Sequence, residues 1–164
     1  MRIFDAHFHI IDYRYPIQEN QGYLPPNFRV EDYEGVTKDL HISGGAIVSG
    51  SFQGFDQGYL ENALAQLGPT FCGVTQLPSS VTDEDILALH QKGVRALRFN
   101  MKRGGSEDLA KLDVFARRVH DLAGWHSELY IDSRELPAIF SIIENCRSFQ
   151  SIILAYRKKG CRTS

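Results

Sequence analysis

His7 and His9 stand two residues apart in Asp5-Ala6-His7-Phe8-His9. At the two-residue period of a β-strand both imidazoles project from the same side. Neutral imidazole nitrogens are good ligands for zinc and similar divalent ions. A metal so held lowers the pKa of bound water and polarises a carbonyl, which is the chemistry of hydrolysis at neutral pH. Two histidines filling a polar patch inside a barrel are the alternative, and the pair alone does not choose.

The elements that must position this pair can be read from patterning. Short apolar runs alternate with helical patterns, as in repeated βα units with a parallel sheet. Strands are expected over residues 2–8, 45–49, 71–75, 94–99 and 128–131. Asp56 caps a helix ending at Leu67, with Leu60, Ala63, Leu64 and Leu67 on one face and Gly68 as its stop. Thr82, with Asp85 three residues on, opens the next, and Gly93 follows its end. Ser106 caps a longer one whose apolar stripe is Leu109, Leu112, Phe115, Ala116, Val119 and Leu122, and Ser133 caps a last one over 134–144.

On the first strand Ile3, Asp5, His7 and His9 share one face, and Phe4, Ala6, Phe8 and Ile10 the other. A partly polar inner face suits a barrel lumen, and an apolar outer face meets helices. Polar residues also collect at the ends of the later strands: Ser49, Ser51, Gln76, Arg98, Asn100, Glu128, Tyr130 and Asp132. The C-terminal rim of a (β/α) barrel is where active sites lie. No glycine-rich GxGxxG fingerprint follows the first strand, against a nucleotide-binding Rossmann fold. The expected fold is therefore α/β: a truncated TIM-type (β/α)8 barrel with about five βα units.

At that rim, Arg98 offers a guanidinium fork that matches a carboxylate bidentately. A pair with Glu128 or Asp132 inside the barrel would serve it equally well. Gln53 and Tyr130 could add hydrogen bonds to a substrate. His41, His90, His120 and His126 read as surface or packing residues on helices or at their ends.

The composition is that of an ordinary globular domain: 164 residues, 43% hydrophobic and 23% charged, with a formal net charge of −2. Such a balance leaves no basic field for a nucleic-acid backbone and favours a small-molecule partner. No apolar run is long enough to span a bilayer and the N-terminus does not read as a signal peptide, so a cytoplasmic protein with no membrane partner is expected. Cys72, Cys146 and Cys161 show no metal or disulfide spacing.

Asp5-Ala6-His7-Phe8-His9-Ile10, the loop Asn20-Gln21-Gly22-Tyr23-Leu24-Pro25-Pro26, and Gly93-Val94-Arg95-Ala96-Leu97-Arg98-Phe99-Asn100 together resemble the amidohydrolase-related family. The branch most resembled holds lactone and pyrone-dicarboxylate hydrolases, and the likeness covers residues 1–145. It implies a distorted TIM barrel with His7 and His9 in the metal or catalytic cluster, usually around a divalent ion such as zinc, although some branches work without a tightly held metal. It also implies that Arg98, after strand four, grips a substrate carboxylate, with Arg103 as the second candidate. A metal-dependent decarboxylase of the same superfamily and a non-catalytic half-barrel are the rival expectations.

The family completes its cluster with a histidine ending strand six and an aspartate ending strand eight, and neither is found after Asp132. Residues 146–164 form an atypical basic tail. No acid follows Glu144, so the chain to Asn145 carries 13 basic against 20 acidic residues, a formal −7, and the tail +5. Synonymous codons exist for 145–162 that, read from the third base of the first codon, encode Leu-Pro-Lys-Phe-Ser-Ile-Asp-His-Leu-Gly, with the histidine codon straddling Ile152 and Ile153. A frameshift near Asn145 is the expectation this raises; gene codons incompatible with the second frame would overturn it. A chain truncated there would be inactive, and its open barrel edge would favour a homo-oligomer.

Overall fold

The structure, a computed structural model, describes residues 1–145, so the basic tail and its shifted-frame reading lie outside the described residues. Five parallel strands form one sheet in the order β1-β2-β3-β4-β5: β1 Ile3–Phe8, β2 Ile42–Val48, β3 Phe71–Thr75, β4 Val94–Asn100 and β5 His126–Tyr130. Helices α1 Val30–Thr37, α2 Gly58–Leu67, α3 Asp83–Gln91, α4 Leu112–Ala123 and α5 Leu136–Asn145 follow the strands in turn. This is a five-stranded portion of a TIM-type barrel, as expected from the alternating patterns together with the polar faces and ends of the strands. None of the described helices is long and apolar enough to cross a membrane.

Apolar burial holds the layers together. Ile47, Leu97, Phe99 and Leu129 of the sheet join Leu60, Leu64, Ile86, Leu112, Phe115 and Val119 of the helices in one core. On the opposite face, Ala46, Val48, Val74 and Ala96 form a second cluster of small side chains. Gly44 permits the close approach of β2 to the chain before β3, since a Cβ there would lie 2.3 Å from the Thr70 carbonyl oxygen.

Several local expectations need correction. The alternation on β1 is broken: Asp5 lies opposite Gly45 and Phe8 opposite Ile47, so three residues advance against two. Such a bulge changes the face that later residues present. Asp5 and Phe8 both meet Tyr33 of α1; its hydroxyl donates to Asp5 Oδ2 at 3.2 Å and its ring stacks on Phe8 at 3.9 Å. Asp5 also stays beside His7, whose backbone N–H donates to Asp5 Oδ1 at 3.3 Å, while Phe4, placed by strict alternation against helices, is 56% exposed.

Capping differs as well. Ser106 does not cap α4; its hydroxyl accepts from the Asn100 N–H at 2.8 Å, and Asp108 caps the short 3-10 turn that leads into the helix. Asp132, rather than Ser133, caps the turn before α5. Gln57 occupies the N-cap of α2, although Asp56 still accepts from the Tyr59 N–H at 3.4 Å. Thr82 does cap α3, accepting from the Asp85 N–H at 3.1 Å. His126 is not on a helix: it opens β5, opposite Ala96.

Trp125, the residue before β5, is fully buried, and its indole N–H donates to His90 Nδ1 at 3.1 Å. Only the neutral imidazole can accept there, and burial, assisted by the Arg95 charge, lowers the His90 pKa. The unfolded chain takes up that proton first, so the associated stability is complete above about pH 6.5 and is lost as pH falls below it. Denaturant unfolding of His90→Gln should show a shallower loss of stability than the parent between about pH 7 and 5. Equal slopes would show that this hydrogen bond does not couple folding to pH.

Candidate active site at the strand ends

Because all five strands run parallel, their C-terminal ends lie at one rim. There a cavity of about 410 Å³ is lined by His7, His9, Arg98, Arg103 and Tyr130, with Tyr23, Pro25, Phe52 and Asn100 completing most of its wall. Five of the six residues singled out from sequence thus converge. Gln53 does not join them. It is buried, with Oε1 accepting from the Gly50 N–H at 2.7 Å and Nε2 donating to the Ile10 carbonyl at 2.6 Å, and so braces the segments on either side of the cavity.

His7 and His9 meet edge to face with ring centroids 5.1 Å apart. His9 Nδ1 lies 2.6 Å from the Val48 carbonyl oxygen, an acceptor, so the neutral ring carries its proton on Nδ1 and keeps a lone pair on Nε2. Burial pushes the His7 pKa down to about 4, with His9 and Arg98 adding to the shift. Burial also lowers that of His9, against the opposing effect of the Val48 bond. Both rings are therefore neutral at pH 7, the form that ligates a metal.

Arg98 is only 6% exposed, and its buried Nε and Nη1 have no hydrogen-bond partner among the described residues. Neither carboxylate that could have paired with it does so within 4 Å. Asp132 is bound by Arg134 at 2.6 Å and Lys102 at 3.4 Å, and the carboxylate of Glu128 has His126 at 3.6 Å. The Tyr130 ring lies 5.5 Å from the guanidinium carbon, a cation–π contact that steadies the charge without neutralising it. Burial lowers the Arg98 pKa, with Glu128 opposing, but a guanidinium remains charged in proteins. A buried cation with unpaired N–H donors beside two neutral imidazoles can take an anion next to a pair of metal-capable donors.

The donor set fits two positions of a divalent ion, held by His7 and His9. Among the described residues no group of three or more His, Cys, Asp or Glu could hold a metal. A wider depression of about 1000 Å³ lies around Gly68–Cys72 and Lys92–Arg95, but no histidine lines it and its lysine, Lys92, already pairs with Glu61 at 2.6 Å. Its size reflects openness rather than converging chemistry. Sequence reasoning missed the wall contributions of Tyr23 and Phe52; for Tyr23 the available signal was the turn-rich Gly22-Tyr23-Leu24-Pro25-Pro26 loop.

The family model for amidohydrolases matches residues 4–153. The chain belongs to the amidohydrolase family. It is 25% identical over 140 residues to a 2-pyrone-4,6-dicarboxylate hydrolase of Comamonas testosteroni, covering 83% of this chain and 46% of that protein. It is 27% identical over 140 residues to a 4-sulfomuconolactone hydrolase of Hydrogenophaga intermedia, covering 82% and 46%. The chain thus spans about half the length of the curated relatives it matches. An Agrobacterium tumefaciens protein solved in its apo form superposes with a TM-score of 0.78 at 24% identity, over 88% of this chain and 53% of that one. An Acinetobacter baumannii protein described as a probable 2-pyrone-4,6-dicarboxylic acid hydrolase, solved with citric acid bound, gives 0.78 at 22% identity, over 93% and 58%. These two likenesses establish the shared fold.

An amidohydrolase chain that keeps a buried cation with no carboxylate in ion-pairing distance gives up stability to do so. Arg98→Met should raise stability against urea by about 1–3 kcal/mol, because an apolar side chain of similar length removes the desolvated charge. A loss of stability instead would mean that the guanidinium is matched within the folded chain.

Proposed function

We propose that this chain forms the histidine and carboxylate-recognition part of a hydrolase site for a small ring, of lactone or ester type, that carries carboxylate. The unpaired, buried Arg98 on the wall that holds His7 and His9 is the observation that carries the reading. The named activities of the relatives support it, since both their substrates are small organic anions. Citric acid in the Acinetobacter structure is consistent with a carboxylate-binding cavity on this fold.

Arg98 binds a substrate carboxylate through charge-assisted hydrogen bonds, and Tyr130, stacked on the guanidinium, limits its rotation. Arg103, also on the cavity wall, offers a second cation to a ligand with two acidic groups. Together they orient the ring so that its carbonyl lies near His7 and His9. A divalent metal held by the two imidazoles would supply carbonyl polarisation and a water of lowered pKa. His9, its proton fixed towards Val48, presents Nε2 as a donor of one orientation.

A second reading, carboxylate binding without turnover, is favoured by one fact: the described residues offer two imidazoles and no third ligand. Metal analysis and assay separate the two. Chain dialysed with zinc should, on the first reading, retain one ion per protein and hydrolyse 2-pyrone-4,6-dicarboxylate, with His7→Ala and His9→Ala losing both. Binding of the dicarboxylate, without hydrolysis at any zinc load, would establish the second. Carbon dioxide release in place of ring opening would identify a decarboxylase.

A further inference from the structure

The loop between β1 and α1 is closed at its base by two backbone hydrogen bonds between Ile11 and Phe28, each 2.7 Å. Within it Tyr13 donates its hydroxyl proton to the Pro25 carbonyl at 2.5 Å. At its tip Asn20 and Tyr23 exchange backbone hydrogen bonds at 3.0 Å, across a turn in which Gln21 has φ 52° and Gly22 φ 76°. A non-glycine residue rarely adopts that left-handed backbone, and where it does the surroundings hold it there.

The surroundings here are the loop after β4. Asn20 Nδ2 donates to the Arg103 carbonyl at 3.0 Å and Gln21 Nε2 donates to the same oxygen at 3.3 Å. On its other side the Arg103 N–H donates to Asn100 Oδ1 at 3.0 Å. The Arg103 guanidinium then sits 5.9 Å from the centre of the Tyr23 ring, and both side chains line the cavity. Asn20 and Gln21 do not line it.

We propose that Asn20 and Gln21 are positioning residues: their two amide donors dock the β1–α1 loop on the Arg103 carbonyl and so preset Arg103 over Tyr23 as the second contact for a dianionic ligand. The inference rests on the anion-binding role of the cavity argued above. An exposed arginine on a free loop would have to surrender its side-chain freedom on binding, whereas one held at both backbone groups and backed by a ring has surrendered part of it beforehand. The gain falls on ligands that reach Arg103. A ligand with one carboxylate, satisfied by Arg98, is indifferent to it.

The test compares the parent chain with an Asn20→Ala, Gln21→Met double variant, which keeps loop length and removes both donors. Calorimetric titration uses isophthalate, with two carboxylates, and benzoate, with one. Limited trypsin digestion, followed by mass spectrometry, reports independently on cleavage after Arg103, whose carbonyl is the docked group. The expected result is an isophthalate affinity about fivefold weaker, benzoate affinity unchanged, and faster cleavage at Arg103–Gly104. Equal loss for both ligands, or unchanged affinity for both, would overturn the positioning role. If the parent binds neither acid, the anion-site reading fails and the positioning role with it, even if the variant is cleaved faster.

Discussion

Parallel pairing is the constraint from which the site follows. Parallel strands cannot be joined by tight hairpins, so each of the four ladders from β1 to β5 needs a crossover, and each crossover returns the chain to the same starting side. All strand ends and the loops after them are therefore collected at one rim. His7 near the end of the first strand and His9 just after it, Arg98 near the end of the fourth and Tyr130 at the end of the fifth become neighbours although they are far apart in the chain. The helices make this arrangement stable by covering the outer face with apolar side chains, while the inner face carries small residues below the cavity and polar ones around it.

Charge at that rim is organised by mutual exclusion. The Arg98 guanidinium helps to hold His7 and His9 in their neutral forms, and neutral rings leave the guanidinium without repulsion from two further cations. The acids nearby have other partners: Asp132 caps a turn and binds Arg134, Glu128, opposite Arg98 in the ladder, has His126 at 3.6 Å, and Asp5 accepts from the Tyr33 hydroxyl. A carboxylate free to move towards Arg98 would have closed the anion site. That none lies within ion-pairing distance is what separates this cluster from an internal salt bridge.

Where residue type alone decides an outcome, the sequence was a good guide. The histidine pair, the arginine at the end of the fourth strand and the helical stripe of α4 all reached their expected places, because periodicity 2 and 3.6 are properties of the local backbone. The failures were at positions where two conformations are locally similar in energy. Ser106 and Asp108 are both acceptable caps, and packing on Asn100 chose between them. Helix α1 buries only Val30 and Tyr33, too little apolar signal in eight residues to stand out. Gln53 has the chemistry of a substrate contact, but two backbone groups, each needing a partner once buried, claimed its amide first.

The sequence by itself determined the αβ alternation, the polar ends of the strands and the presence of two metal-capable imidazoles, because these depend on side-chain chemistry and local spacing. Only the tertiary structure decided which polar residues face a common cavity and which charges stay unpaired. Asp5 was engaged by the Tyr33 hydroxyl of α1. Arg98 was left without an ion pair because Asp132 was taken by its own helix start and Glu128, across the ladder, has His126 as its partner. Such outcomes depend on distances between strands that sequence spacing does not contain.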